Sequence, residues 1–190
     1  MTSKTHYVRY LLRIRSFVVA IWSISPKFIS RFLLQFLRNG TSFISFGIRY
    51  LCVKRLAKSC GQKVIIFPGV FIKNIQNLDI GTNVSIHEMC YIDAFGKIKI
   101  DNNVAISHGV SIISFDHDIN LGHKNYKDAP AVTGKIIIKD NVWIGAGARI
   151  LKDVIIEKDC VIAAGSLVNK SCNENSLIGG VPAKFIKKIK

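Results

Sequence analysis

The side chains best suited to acid–base chemistry lie in one short stretch, Asp116-His117-Asp118, with His123 and Tyr126 close behind. An imidazole with a pKa of about 6.5 can remove a proton from a hydroxyl group at neutral pH. A neighbouring carboxylate, or equally a backbone carbonyl, can orient its ring. His117 is therefore the candidate general base, oriented by Asp116, Asp118 or a main-chain oxygen.

Metal and cysteine chemistry have little support in the sequence. No His, Cys and acidic residues have the spacing of a metal site, so no metal is predicted. The five cysteines are odd in number and include no C-x-x-C pair, which indicates a reducing, cytoplasmic compartment. Cys90 falls at a position of small side chains in the repeat described next, and we expect it to pack in the core.

A repeat of six residues predicts the scaffold that positions these groups. Ile or Val recurs at every sixth position through Ile138, Ile144, Ile150, Ile156, Ile162 and Val168. Shorter ladders precede it at 66–72, 80–92 and 100–112, each offset by two extra residues. A period of six fits neither a helix nor an alternating strand. It fits a short strand and a turn, three of which form one coil of a parallel β-solenoid.

The repeat is interrupted once, and the interruption carries His117. From Ile112 to Ile138 is 26 residues, where six would continue the ladder. About twenty residues, roughly 114–134, therefore leave the solenoid as a loop. Loops of this length in compact folds are usually functional or disordered.

The first 61 residues follow a helical period instead. Apolar residues from Tyr7 to Ile21 share one helical face, and Ser25-Pro26 and Gly40 predict the start and the end of a second helix. A third helix is expected to end at Gly61. The predicted organisation is a basic amphipathic helical region at 1–61, a solenoid at 62–182 with its loop at 114–134, and a basic tail at 183–190.

The charge of the chain is concentrated at its N-terminal side. Residues 1–78 hold thirteen Lys or Arg and no acid, in a chain of net charge +15. Such a field attracts an anionic surface, and basic amphipathic helices are typical of peripheral contact with the inner membrane face. Packing of the apolar faces on the solenoid or between subunits is the alternative. Nucleic acid is not an expected partner, because no nucleic-acid-binding signature accompanies the bases.

Ladder, loop and C-terminal segment occur in a familiar order, with KIIIKDNVWIGAGARIL followed by VIAAGSLVNK and GGVPAKFIKKI. Over about residues 62–190 the chain resembles the hexapeptide-repeat acetyltransferases, in the branch of maltose, galactoside and colanic-acid or capsule O-acetyltransferases. The resemblance implies a left-handed parallel β-helix, a homotrimer and transfer of acetyl from acetyl-coenzyme A. The implied acceptor is a sugar hydroxyl, in O-antigen, capsule or exopolysaccharide biosynthesis, with His117 as the base.

The resemblance also implies which residues contact coenzyme A. They are Trp143, Gly145, Ala146, Ala164, Gly165, Asn169, Lys170, Lys184 and Lys187. The family often has Thr in place of Asn169 and Arg in place of the two tail lysines, so the charge is kept without the planar fork of Arg.

The acceptor side is less sharply defined. The candidates are Glu88, Asp93, His108, Asp116, Asp118 and His123. Relatives often carry Asn around residues 87–90, where this chain has His-Glu-Met-Cys. N-acetylation of an amino sugar and O-acetylation of serine therefore stay open as alternative reactions on the same scaffold. His117 in its loop argues against a scaffold without catalytic activity.

Overall fold

The computed structural model describes residues 21–119 and 125–189. Two helices, α1 (Lys27–Phe36) and α2 (Phe43–Leu56), precede a parallel β-solenoid of about six turns. The helix expected from Tyr7 lies, up to residue 20, outside the described residues. Within the described ranges no helix is long and apolar enough to cross a membrane.

Each coil of the solenoid contributes three short strands. The first three coils contain β1 (Ser59–Cys60), β2 (Ile65–Ile66), β3 (Phe71–Lys73), β4 (Leu78–Ile80), β5 (Ser85–Ile86), β6 (Tyr91–Asp93), β7 (Ile98–Ile100), β8 (Ala105–Ile106) and β9 (Ser111–Ile113). An excursion contains β10 (Phe115–His117) and β11 (Ala131–Thr133). The later part contains β12 (Ile136–Ile138), β13 (Trp143–Ile144), β14 (Arg149–Ile150), β15 (Ile155–Ile156), β16 (Val161–Ile162), β17 (Leu167–Val168), β18 (Ser176–Gly180) and β19 (Ala183–Lys188).

These strands stack into three sheets that run along the solenoid. Sheet A has the order β1-β4-β7-β12-β15, and sheet C the order β17-β14-β9-β6-β3. Sheet B has the order β19-β18-β16-β13-β8-β5-β2. All pairings within them are parallel except that of β18 with β19. The predicted parallel solenoid is confirmed.

The six-residue ladder forms the interior. On sheet B, Ile106 pairs with Ile144 and Ile144 with Ile162, and the other two sheets repeat this pattern. Every ladder residue from Ile138 to Val168 is at most 1% exposed. Because a fully buried aliphatic side chain contributes about 1.5–3 kcal/mol, this column of like residues is the main source of the solenoid's stability.

Polar residues follow each ladder position of sheet A and form the corner between sheets A and B. Asn83, Asn103, Asn141 and Asp159 all have a positive φ, between 56° and 59°. Asn and Asp tolerate this left-handed conformation better than other side-chain-bearing residues. Their side chains also bond from coil to coil, since Asn83 Nδ2 donates to Asn103 Oδ1 at 2.8 Å and Asn141 Nδ2 to Asp159 Oδ1 at 2.6 Å.

The helices end earlier than their spacing predicts, and the solenoid begins earlier. Pro26 caps α1 rather than forming its first turn, and α1 ends at Phe36, before Gly40. α2 ends at Leu56 because the chain after it is extended to pair with β4, where Lys58 N–H donates to the carbonyl of Leu78 at 3.0 Å. The first strand thus lies before residue 62, where we expected the solenoid to start.

A buried arginine ties the helices to the first coil. Arg49 in α2 is 1% exposed, and its guanidinium donates to the carbonyls of Leu37 at 2.9 Å, Gly40 at 2.7 Å and Ile66 at 2.9 Å. Leu37 caps the C-terminus of α1, where unpaired carbonyls favour a cation. Arg49 therefore fixes α1 against the solenoid.

Candidate active site

The interruption of the repeat is a hairpin that carries His117 out of the solenoid. β10 pairs with β11 in antiparallel fashion, with His117 opposite Ala131. The N–H of Gly134 donates to the carbonyl of Ser114 at 2.9 Å and closes the excursion at the two residues where the sequence places its ends. Gly96 packs against this base so closely that a Cβ there would lie 2.7 Å from Gly134 N.

The ring of His117 is exposed and is held by the main chain. Its Nδ1 lies 2.8 Å from the carbonyl oxygen of Ala129. Because a carbonyl can only accept, Nδ1 carries the hydrogen, and the lone pair of the neutral ring is on Nε2. Asp116 Oδ1 instead accepts from the backbone N–H of His117 at 2.8 Å. Of the orienting groups considered, the structure thus provides a backbone carbonyl.

A groove of about 480 Å³ brings together four of the predicted coenzyme A contacts. It lies along sheet B and its corner with sheet C. Its lining consists of Ser107, His108, Trp143, Gly145, Ala146, Val161, Ile162, Ala163, Ala164 and Leu177. His108, predicted for the acceptor side, lies in the same groove, whereas His117 does not line it.

One corner of the solenoid aligns the acceptor and cofactor candidates in a single column. Backbone bonds between coils join the carbonyl of Glu88 to Gly109 N at 2.9 Å and that of His108 to Gly147 N at 3.0 Å. The next bond joins the carbonyl of Ala146 to Gly165 N at 2.8 Å. Glu88, His108, Ala146 and Ala164 therefore occupy equivalent positions in successive coils, with Gly165 next to the last of them.

The floor of the groove requires a glycine. A Cβ at Gly145 would lie 2.6 Å from Ala164 N and 2.7 Å from the carbonyl oxygen of Ile162. Both atoms are backbone of the neighbouring coil and cannot move aside. The absence of a side chain at Gly145 thus allows the adjacent coils to pack closely at the floor of the groove.

Trp143 forms the wall of the groove and is 55% exposed. Its indole N–H donates to Ser107 Oγ at 3.0 Å, which holds the ring along the sheet. Ser107 is not among the site residues that the sequence predicts. The coil spacing could have found it, because Ala105 pairs with Trp143 and Ile106 with Ile144, which places Ser107 beside Gly145.

None of the predicted phosphate-binding residues is among those that line this groove. Asn169 and Lys170 are exposed just after β17. Lys184 and Lys187 are exposed on β19, where they pair with Gly179 and Leu177. Since Leu177 lines the groove, β19 brings its two lysines next to the groove wall.

Asp93, His123 and Asp118 are the remaining candidates for the acceptor side. Asp93 is only 3% exposed, and its Oδ1 accepts from Asn74 Nδ2 at 2.7 Å and from the N–H of Phe95 at 3.2 Å. It holds a corner of the coil, so we do not carry it into the acceptor site. His123 lies outside the described residues. Asp118 adjoins His117, and its N–H donates to the carbonyl of Pro130 at 3.0 Å.

Cys90 is a core residue, as predicted. Its side chain is 1% exposed and its Sγ donates to the carbonyl of Ser107 at 3.1 Å. Burial raises the pKa of this thiol to about 11, so it is protonated at neutral pH and unsuited to nucleophilic attack. Among the described residues, no cluster of three or more His, Cys, Asp or Glu could hold a metal ion.

Comparison with known proteins identifies the scaffold. Residues 135–170 match the family model for the bacterial transferase hexapeptide (six repeats). The galactoside O-acetyltransferase of Lactococcus lactis is 30% identical over 153 residues, which cover 80% of this chain and 72% of that relative. The chain belongs to the hexapeptide-repeat acetyltransferase family. The dTDP-4-amino-4,6-dideoxy-D-glucose acyltransferase of Escherichia coli is similar to this acetyltransferase at 30% identity over 158 residues, covering 68% of this chain and 81% of the relative.

A solved structure of galactoside acetyltransferase in complex with coenzyme A has the same fold as this acetyltransferase. The TM-score is 0.76 at 25% sequence identity, with 86% of this chain and 80% of that chain covered. The predicted family, the left-handed parallel β-helix and the assignment as an acetyl-coenzyme A-dependent acetyltransferase are thereby confirmed.

Proposed function

We propose that this acetyltransferase transfers acetyl to a hydroxyl group of a sugar, with His117 as the general base. The bond from His117 Nδ1 to the carbonyl of Ala129 carries the proposal. It leaves Nε2 as the basic nitrogen of an exposed ring. At this nitrogen His117 takes the proton of the acceptor hydroxyl as its oxygen attacks, and then returns it to the departing thiolate.

The groove beside Trp143 fits the pantetheine arm of acetyl-coenzyme A, which supplies the acetyl thioester when bound. Its wall combines the exposed indole ring of Trp143 with the small residues Gly145, Ala146 and Ala164. The extended pantetheine arm can therefore approach the protein backbone closely. In this proposal the phosphates are bound by Lys184 and Lys187 on β19, with Asn169 and Lys170 after β17. Gly165 follows Ala164 at the same corner of the solenoid, between sheets B and C.

A complete site needs a second subunit. His117 does not line the groove of its own chain, which supports a site that assembly brings together from two subunits. We infer a trimer in which His117 of one protomer faces the groove of the next, consistent with closed symmetry about one axis. Glu88 and His108 precede Ala146 and Ala164 in the column of equivalent positions. They would then contact the acceptor together with Asp116 and Asp118.

The acceptor we favour is a sugar of a surface polysaccharide or its precursor, such as O-antigen, capsule or exopolysaccharide. The similarity to a galactoside O-acetyltransferase supports a sugar hydroxyl, and the resemblance to the capsule and colanic-acid branch supports the polysaccharide. N-acylation of an amino sugar is the second candidate, because the E. coli amino-sugar acyltransferase matches over a similar length. The cytoplasmic location stays a prediction.

A panel of acceptors tests the proposal. The full chain is incubated with acetyl-coenzyme A and one acceptor at a time: galactosides, maltose, polysaccharide repeat-unit oligosaccharides, a dTDP-amino sugar or serine. The mass of each product is measured by mass spectrometry. An added acetyl group that mild alkali removes is an ester, whereas an amide survives. We expect an alkali-labile acetyl group on a sugar. An alkali-stable product would establish N-acylation, and acetylation of serine alone would exclude the sugar.

A further inference from the structure

The outer side of α1 is a row of exposed aromatic rings. Phe28, Phe32 and Phe36 follow one another at successive turns, and they are 70%, 64% and 72% exposed. Ile24 before the helix and Phe43 after it are 81% and 96% exposed. Single exposed apolar residues are ordinary, but a contiguous patch of this kind marks an interaction surface. We call these five residues the aromatic face.

Bases without acidic partners border this face. Lys27 and Arg31 lie on α1 itself and are exposed, and Arg38 follows its end. Within residues 21–119 and 125–189, each ion pair uses a basic group at or beyond Lys58. Residues 1–78 contain no acid that could pair with these bases. The surface is therefore apolar at its centre, with basic groups at its border.

A cavity of about 340 Å³ adjoins the face on the side of the solenoid. Arg31 and Arg38 line it together with apolar side chains from α1 and the first coil. Arg38 is held over the ring of Phe71, with 5.2 Å from its guanidinium carbon to the ring centroid. The basic groups thus stand between the aromatic face and a space that can take a small anionic group.

The aromatic face is held in place and does not collapse onto the core. Arg49 binds the C-terminal end of α1, and Arg55 Nε donates to the carbonyl of Ser25 at 3.0 Å just before the helix begins. Both ends of α1 are therefore anchored to α2, with the phenylalanines directed away from it.

We propose that this surface docks the enzyme on an anionic lipid bilayer, with α1 lying in the interface. Phe rings enter the boundary between headgroups and acyl chains, while Lys27 and Arg31 stay at the headgroup phosphates. A base near an anionic leaflet contributes about 1 kcal/mol, and several together suffice for peripheral binding. The proposal does not depend on which acceptor the active site uses.

Contact between copies of the chain is the competing use of the face. Three N-terminal regions brought together around one axis would place many bases close to one another with no acid before Asp79 to balance them. Like charges at such an interface are unfavourable. An anionic membrane supplies the missing negative charge, and for this reason we favour it.

Co-sedimentation with vesicles tests the docking surface. The full chain is mixed with vesicles of phosphatidylcholine alone, or with phosphatidylglycerol at about one third, at low and high salt. We expect binding to the anionic vesicles only, weakened by salt. Phe28→Ser/Phe32→Ser and Lys27→Glu/Arg31→Glu should each weaken partitioning about tenfold or more. Tyr126→Ser, which removes a ring 68% exposed in the excursion, and Lys135→Glu/Lys139→Glu on the solenoid are the matched controls.

Each outcome bears on the proposal. Absence of binding to anionic vesicles at low salt overturns it, and so does equal weakening by the α1 variants and their controls. If the Phe variants dissociate the oligomer and leave vesicle binding unchanged, the face is a contact between subunits and the proposal is wrong. Circular dichroism and thermal unfolding of each variant confirm that the solenoid is retained.

Discussion

The Nδ1 atom of His117 lies 2.8 Å from the carbonyl oxygen of Ala129, at the end of the paired strands farthest from the hairpin's base at Ser114 and Gly134. This contact selects the tautomer and the ring orientation without help from a carboxylate. A main-chain acceptor does not change its charge with pH, so the ring is oriented by a group that does not itself titrate.

Replacing His117 with Ala removes the proposed base and little else. We expect kcat to fall by about 10²–10⁴, with the unfolding free energy changed by less than about 0.5 kcal/mol, because the side chain is exposed. Release of free thiol from acetyl-coenzyme A measures the rate. Val132→Ala on the facing strand β11 is the control for disturbance of the hairpin. Activity of His117→Ala within threefold of the native enzyme would exclude His117 as the base.

Asp116→Asn tests whether a carboxylate orients the ring. Since Asp116 accepts from the backbone N–H of His117 and not from its ring, we expect kcat to stay within about threefold, although KM for the acceptor can rise. Loss of the orienting Asp in a catalytic triad lowers kcat by about 10⁴. A loss of that size here would show that Asp116, and not Ala129, sets the tautomer.

Gly145→Ala should damage the groove. The added methyl group meets two backbone atoms of the next coil, and we expect a destabilisation of about 1–3 kcal/mol together with weaker coenzyme A binding. Gly47→Ala in α2 is the matched control, because its Cβ meets nothing within 4 Å and a helix gains about 0.5–1 kcal/mol from the change. Urea unfolding and calorimetric titration measure both. A Gly145→Ala protein as stable as the native chain would contradict the close packing.

Lys170→Ala and Lys184→Ala should each weaken coenzyme A binding about three- to tenfold at low salt. Added salt should weaken binding to the native chain, because phosphate contacts by exposed lysines are screened. Lys139→Ala, at the corner between sheets A and B and outside the groove lining, should bind as the native chain does. Calorimetric titration at two salt concentrations distinguishes these cases. A coenzyme A affinity that does not change with salt would show that these lysines do not bind the phosphates.

A site shared between subunits predicts complementation. His117→Ala and Trp143→Ala proteins are each expected to be nearly inactive, but co-expression in equal amounts should restore about a quarter of the native sites through mixed trimers. Equal mixtures of separately purified trimers, which have not exchanged subunits, serve as the control. No recovery in the mixed assembly, or full activity in a monomer, would place the whole site within one chain.

The solenoid was predictable because one interaction is repeated in every coil. Buried Ile at a fixed interval of six residues leaves few other folds, and the paired positions Ile106, Ile144 and Ile162 occur where the ladder places them. The interrupted ladder likewise located the hairpin from Ser114 to Gly134, since residues that cannot occupy the interior must leave it.

The details that sequence could not supply depend on contacts between distant residues. Nothing in Asp116-His117-Asp118 shows that Ala129, twelve positions later, provides the acceptor for the ring. The end of α2 at Leu56 is set by pairing with β4, which overrides the local helical pattern. Asp93 resembled a ligand in sequence, but its buried carboxylate bonds to Asn74 instead.

Both ends of sheet B are covered within the described residues. In the first coil, side chains of α2 donate hydrogen bonds to main-chain carbonyl oxygens. Arg49 donates to the carbonyl of Ile66, Tyr50 to that of Gly61 at 3.1 Å and Lys54 to that of Cys60 at 2.7 Å. At the other end, β19 turns back antiparallel and presents a lysine-rich outer edge. An open parallel ladder is a template for fibrous self-association. Because neither described end of sheet B offers an open parallel edge, this sheet cannot extend by adding parallel strands of another copy.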